Sequence, residues 1–368
     1  MKYNTDIDVS LIKNSLKNSD IDISNLPLNT KDPKTKIDVY DFFSINEIKI
    51  SNKIQKIPYY SNYYEVISNY QFMKIGEMDE IVFESINTKT NETNESNENN
   101  EKYLFMEYNN KKETKNLDFN VFLFNLPSPN LLIFHVLDSY SYLLDSLIKI
   151  NKKSICFFNL CPENILFMQN YKPLLKNFQF SLLTNLLNID YIRSIIKKID
   201  NYTHKPLEIH LLFYLIANNE TSISYSLIDT ICQNYVDHMD ILCFFSQTYK
   251  NEYKKDCEDF LKKYINRTIN EIIEDILLYY DKWDNFSLSM IYIYIFGHIC
   301  RCFSLKDTFI NKILILLSKN IHPNPFKREI LINTRKTYDL LISNYSDWAF
   351  VNKIPSEKLD ELYEMLNI

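Results

Sequence analysis

Phe157-Phe158-Asn159-Leu160-Cys161-Pro162-Glu163-Asn164-Ile165-Leu166 is the stretch whose reading decides the fold. Strand signals surround it: Ser154 to Phe158, Ile165 to Met168 and Leu174 to Lys176 read as short strands, and Pro162 marks the loop between the first two. Ahead of it, Leu132, His135, Val136, Tyr140, Leu143 and Leu147 recur at helical spacing and predict one long helix over 130–150. Beyond Pro206 nearly every segment is helical in pattern: about 206–217, 224–248, 254–280, 284–303, 307–320, 334–346 and 356–367.

The N-terminal side reads differently. Residues 1–40 are polar and irregular, with Lys36 to Tyr40 a short strand candidate. Ser44-Ile45-Asn46-Glu47 has the form of a capping box and predicts a helix over 44–57 that Pro58 stops. Tyr70 to Lys74, Glu80 to Glu84 and Tyr103 to Tyr108 read as strands, and the Asn, Thr, Glu and Ser of 87–102 read as a solvated loop. Strands early and helices late describe an α+β protein, and no repeat of fixed period is present.

Composition narrows the function. Among 368 residues there are two glycines, Gly76 and Gly297, so a dinucleotide-binding G-x-G-x-x-G turn, a P-loop and a G-x-S-x-G elbow cannot be written. A net charge of −6 without a sustained basic run gives no expectation of nucleic acid. Seven cysteines with no C-x-x-C pair, and a polar Met1 to Ser10 lacking an apolar signal core, lead to the expectation of a reducing, cytoplasmic setting. The longest apolar stretch, Leu288 to Phe303, falls short of a bilayer span and carries His298 and Arg301, so it reads as a buried helix and no membrane partner is expected.

The 157–166 string resembles the catalytic loop of protein kinases, with its His-Arg-Asp-Leu-Lys-Pro-Glu-Asn-Ile-Leu pattern: Leu160, Pro162, Glu163, Asn164, Ile165 and Leu166 match in register. Neighbouring strings fall in the same family's order. Tyr103 to Tyr108 resembles the hinge strand, Asn177-Phe178-Gln179 stands at the place of the Asp-Phe-Gly metal motif, and Pro206-Leu207-Glu208 resembles the end of an activation segment. Trp283-Asp284-Asn285-Phe286 resembles the start of the family's central helix, and His322 to Arg328 resembles the late motif whose Arg pairs with the activation-segment Glu. The resemblance covers about 44–346. It implies a two-lobed, kinase-like fold with a reduced N-terminal β lobe over 1–108 and a helical C-terminal lobe over 109–368. Glu208 and Asp284 are 76 positions apart, which makes 217–280 a helical insertion. With the Asn- and Tyr-rich composition, the insertion makes the chain similar to divergent kinase-like proteins of large DNA viruses.

The resemblance also says what is missing. Asn159 occupies the position of the catalytic Asp, and an amide cannot accept the substrate proton. Asn177 occupies the position of the metal-binding Asp, while Asn164 matches a second metal ligand; neutral amides suit a hard dication less well than carboxylates. Cys161 stands where a Lys steadies phosphate, and Phe158 where an Arg meets a phosphorylated segment. Glu107 marks the strand whose backbone at about 107–110 would meet adenine. Glu47 reads either as the Glu that partners a nucleotide lysine or as a capping residue, and Lys36, Lys49 and Lys74 are candidates for that lysine. Phe157 and Phe178 are expected to pack inside the fold, Asp284 to hold the loop backbone, and Glu208 to pair with Arg328.

The function expected is that of a pseudokinase scaffold that binds a protein partner, in a host cytoplasm or a virion, with no metal and no cofactor. The alternative is an active atypical serine/threonine kinase using ATP and Mg²⁺. His298, Cys300 and Cys302 spread over different faces of a helix and read as core residues rather than a zinc site, and His204 and His210 read as surface or cap residues.

Overall fold

The computed structural model describes residues 35–74, 102–109, 117–168, 170–199, 204–303, 305, 308–343, 355 and 358–366. They form an α+β structure that divides into two compact units, and the division is not linear: 176–179 group with the N-terminal residues. The strand expected at Glu80 to Glu84 lies outside the described residues, as do 87–101 of the loop expected at 87–102, whose last residue opens a strand, and 1–34 of the irregular 1–40.

Among the described residues the first unit holds a three-stranded antiparallel sheet and one α-helix. Strands β1 (Thr35–Val39) and β2 (Ile67–Lys74) flank β3 (Lys102–Tyr108), giving the order β1-β3-β2. Central β3 is aromatic and apolar, and Tyr103, Leu104, Phe105 and Met106 are all buried, as suits a strand paired along both edges. Helix α1 (Phe42–Ile54) starts earlier than its sequence pattern predicts. Asp41, not Ser44, is the N-cap: its carboxylate accepts from the N–H groups of Phe43 and Ser44, and Ser44 Oγ accepts from the N–H of Asp41. The capping box is therefore Asp41 with Ser44, which frees Glu47 from the cap and places it a turn further in, buried. Ile48 packs with Ile67, Leu104 and Met106.

The second unit is mainly helical. A two-residue strand β4 (Leu117–Asp118) and helix α2 (Phe119–Leu123) lead to α3 (Pro129–Asn151), which Ser128 caps and Pro129 opens. Leu132, Val136, Tyr140, Leu143, Leu147 and Ile150 form its buried stripe. Helix α3 is long and apolar enough to cross a membrane by length and composition, and 61% of its most apolar window is buried. Strands β5 (Ile155–Cys156), β6 (Ile165–Phe167), β7 (Pro173–Leu175) and β8 (Leu182–Leu183) pair as β4-β6-β7 and β5-β8.

Helices α4 (Ile189–Ile196), α5 (Leu207–Ala217), α6 (Tyr225–Asp237), α7 (Gln247–Leu261) and α8 (Ile269–Leu277) precede the central α9 (Trp283–Cys302), and α10 (Phe309–Asn320), α11 (Leu331–Ser343) and α12 (Lys358–Leu366) follow it. Two helices expected as continuous are broken. The 224–248 pattern ends at Asp237 and gives way to a 3₁₀ segment, Asp240–Phe244, before Ser246 caps α7. The 254–280 pattern is interrupted where Asn266 turns left-handed at φ 61° and Thr268 opens α8 in a capping box with Glu271. In both places local capping chemistry outweighs apolar periodicity.

Helix α9 is buried along almost its whole length. His298 lies between Phe244 and Tyr294, and Cys302 is buried, so these residues pack rather than cluster. Gly297 faces Phe244 so closely that a methyl group there would lie 2.5 Å from the ring carbon Cγ. The glycine is kept for this approach, not for backbone freedom. Gly297→Ala gains about 1 kcal/mol of helix propensity but overpacks the ring at a cost of about 1–3 kcal/mol. A net loss is expected in urea unfolding, and adding Phe244→Leu should recover it.

The second unit also buries an ion pair. Arg328 Nη1 and Nη2 donate to Glu208 Oε1 and Oε2, each at 2.7 Å, and both side chains are fully inaccessible. Remaining donors go to the carbonyls of His322 and Pro323, and Trp283 Nε1 donates to Glu208 Oε1 at 3.1 Å. Every strong group is satisfied, so removing one partner strands the other. Arg328→Met should cost about 3–5 kcal/mol in equilibrium unfolding, and the Glu208→Gln/Arg328→Met pair should cost less than the two single changes summed.

Candidate functional site

The loop between β5 and β6 is built on Asp284. This carboxylate, on the first turn of α9, accepts from the N–H of Phe157 and of Phe158, each at 2.7 Å. Phe158 sits at φ 63°, a region an aromatic L-residue avoids at a cost of about 1–3 kcal/mol. Two charge-assisted hydrogen bonds to a buried carboxylate hold it there. Burial pushes the Asp284 carboxyl up, against the two backbone donors that favour its ionised form.

Lys205 completes the clamp from the other side. It is buried, and its ammonium donates to the Phe158 carbonyl and, at 3.2 Å, to Asn159 Oδ1, while lying 5.1 Å from the centre of the Phe158 ring. An ammonium only donates, so the Asn159 amide must turn its oxygen toward Lys205 and its NH₂ away. The Asn164 amide donates to the Asn159 carbonyl at 2.8 Å, and Ser181 Oγ donates to the Phe157 carbonyl at 3.0 Å. Asn159 and Asn164 therefore share one rigid loop.

Cys161 on the same loop is half-buried, and burial, with Glu163 beside it, pushes its thiol up to about 12. It remains a protonated thiol rather than a nucleophile. His204 and His210, expected in surface or cap roles, are drawn inward: His210 is buried in the first turn of α5 and His204 Nδ1 is sealed from solvent, and burial holds both rings down at about 4, well below the usual histidine range.

In the first unit a second polar cluster forms around Glu47. Its carboxylate accepts from Tyr108 Oη at 3.3 Å and from the backbone N–H of Phe178. Lys36 on β1 is the candidate lysine near it: its ammonium is 2.7 Å from Asp38 Oδ2 and donates to Gln179 Oε1 at 3.2 Å. Burial alone would lower the Lys36 amine, but the charges of Glu47 and Asp38 outweigh it and raise it. For Glu47, burial raises the carboxyl and Lys36 opposes it. Lys49 is exposed on α1 and is not among the charges that act on Glu47, and the Lys74 side chain lies outside the described residues. Phe178 is buried against Tyr64, with ring centres 6.1 Å apart, and Asn177 is exposed at φ 62°, a conformation Asn tolerates. Glu107 is committed to the sheet: its carbonyl accepts from Ser68 Oγ at 3.1 Å and it pairs with Thr35.

For a metal the donors fit poorly. Among the described residues no three His, Cys, Asp or Glu side chains come together, and Asn164 and Asn177 each offer a neutral amide. Lys205, Asp38 and Gln179 were not legible as site residues. Lys205 has no motif of its own, and its partner lies 46 positions away. The lysine directly before Pro206-Leu207-Glu208 was the available signal. A comparison with protein-family models and with curated proteins finds no match for this chain.

The Lys205 amine, held down at about 8 by burial against an ordinary 10.5, gives a pH signature. A depressed lysine makes the folded state bind fewer protons than the unfolded chain between these values, so stability rises as pH goes from about 8 to 10.5. Buried thiols such as Cys161 act in the opposite direction in both proteins, so the lysine is read as a difference: in urea unfolding the wild type should gain stability relative to Lys205→Met as pH rises across that window.

Proposed function

We propose that the chain is a catalytically impaired protein-kinase-like protein, a pseudokinase, that acts by binding a protein partner. The observation that carries this reading is the Asn159 amide. A residue placed to deprotonate a hydroxyl needs a free, ionisable oxygen; here the oxygen is neutral and already accepts from Lys205. The order of elements supports the same reading. A strand with Lys36, a helix with Glu47 and two further strands precede a long helix, a loop held by a buried Asp at the start of a central helix, and a buried Glu–Arg pair. The α6–α8 block, present where the resemblance has no counterpart, is the natural partner surface in a host cytoplasm or a virion.

A second reading, an active atypical serine/threonine kinase, is favoured by one observation. Lys36 is kept charged beside Glu47, the arrangement that would present an ammonium to a nucleotide phosphate. Thermal shift with ATP and ADP, with and without Mg²⁺ and Mn²⁺, separates the two. The pseudokinase reading expects no metal-dependent shift and no ³²P transfer to protein. A metal-dependent shift followed by transfer that Asn164→Ala abolishes would replace it with the second.

A further inference from the structure

Away from the loop, Lys263 is enclosed by aromatic rings. Its ammonium lies 4.5 Å from the ring centre of Phe260, 4.6 Å from Tyr264, 5.0 Å from Tyr279 and 5.8 Å from Phe326. Asp275 closes the enclosure with Oδ2 2.6 Å from Nζ, and Tyr279 Oη accepts at 3.0 Å. The carboxylate is itself oriented, because Tyr264 Oη donates to Asp275 Oδ2 at 2.7 Å and Tyr279 Oη at 3.3 Å.

Three walls are built into the core. Phe260, Tyr264 and Tyr279 are buried, and Phe260 meets Tyr264 edge to face at 5.8 Å. The fourth wall is not: Phe326, on the short 3₁₀ turn Pro325–Lys327, is 74% exposed while its ring meets Tyr279 at 5.2 Å. The Lys263 side chain retains 29% of its accessibility, so the enclosure opens to solvent on one side.

A primary ammonium is an imperfect occupant of such a site. It carries three N–H donors and a tight hydration shell, and here it finds two acceptor groups, Asp275 and Tyr279, with ring faces and one solvent-open side elsewhere. A methylated ammonium keeps the charge that the ring quadrupoles and the carboxylate attract, but has fewer or no N–H groups to satisfy and presents methyl groups to the rings.

We propose that Phe260, Tyr264, Tyr279, Phe326 and Asp275 form a receptor for a methylated alkylammonium group, with Lys263 as its built-in occupant. The ligand is of the trimethyl- or quaternary-ammonium class, carried by a trimethyl-lysine side chain or by choline. Lys263 is a tethered competitor: it keeps the rings apart and the carboxylate neutralised, and it leaves through the side that Phe326 borders. This site is independent of the reading of the 157–166 loop.

The test uses the full chain and tetramethylammonium chloride, with sodium chloride at equal ionic strength as control, read by aromatic-ring NMR shifts. Lys263→Ala should bind the cation about tenfold or more tightly than the wild type, because the tethered competitor is gone. Phe326→Ala, which alters only an exposed ring, should weaken wild-type binding and supplies the test should Lys263→Ala not fold. Equal binding by wild type and Lys263→Ala, or by wild type and Phe326→Ala, would overturn the proposal. In the same assay, preference for a trimethyl-lysine peptide over choline assigns a protein tail, the reverse assigns a choline headgroup, and binding of neither overturns the proposal.

Discussion

A single buried carboxylate sets the geometry of the second unit's polar loop. Asp284 takes the amide protons of Phe157 and Phe158, and so holds an aromatic residue in a left-handed conformation that it would not adopt unaided. Its position on the first turn of α9 makes this effective, because α9 is packed on every side and gives the carboxylate no freedom to follow the loop. Lys205 then takes the carbonyl that this conformation turns inward, and with it the Asn159 amide oxygen. Backbone strain, a buried anion and a buried cation are thus parts of one arrangement. An ionised Asp284 and a charged Lys205, each disfavoured by burial, support one another across the loop.

The α6–α8 block is integral to the second unit rather than an appendage. Phe244 fills the space that Gly297 leaves open on α9, and Tyr253 Oη donates to the Ile321 carbonyl at 2.7 Å. Asp256 meets His322 at 3.3 Å, and the His322 carbonyl is one of the two that accept from Arg328. The Lys263 enclosure adds Phe326 to the same seam. The block thus touches groups that neighbour the buried Glu208–Arg328 pair.

Periodicity was a good guide where burial is one-sided or complete over a long run. The 130–150 pattern became Pro129–Asn151, and the 284–303 pattern became Trp283–Cys302, because apolar stripes of that length have only one way to be buried. It failed where polar caps compete. Asp41, Ser246 and Thr268 each end or begin a helix through a side-chain oxygen, and an apolar pattern carries no record of that. Glu47 is the instructive case: three residues after Ser44 it has the spacing of a cap, and only the position of Asp41 makes it a buried member of a charge cluster instead.

The sequence by itself determined the α+β class, the scarcity of glycine that closes off Gly-rich nucleotide loops, and the residue types of the 157–166 loop, including the two amides at 159 and 164. These are properties of composition and of local spacing, which need no knowledge of distant residues. Tertiary structure decided which way the Asn159 amide faces, that Lys36 rather than Lys49 stands near Glu47, and that Tyr279 and Phe326 join the sequence neighbours Phe260 and Tyr264 around Lys263. Each depends on contacts between groups far apart in the chain, and a buried charge finds its partner through packing that no local pattern encodes.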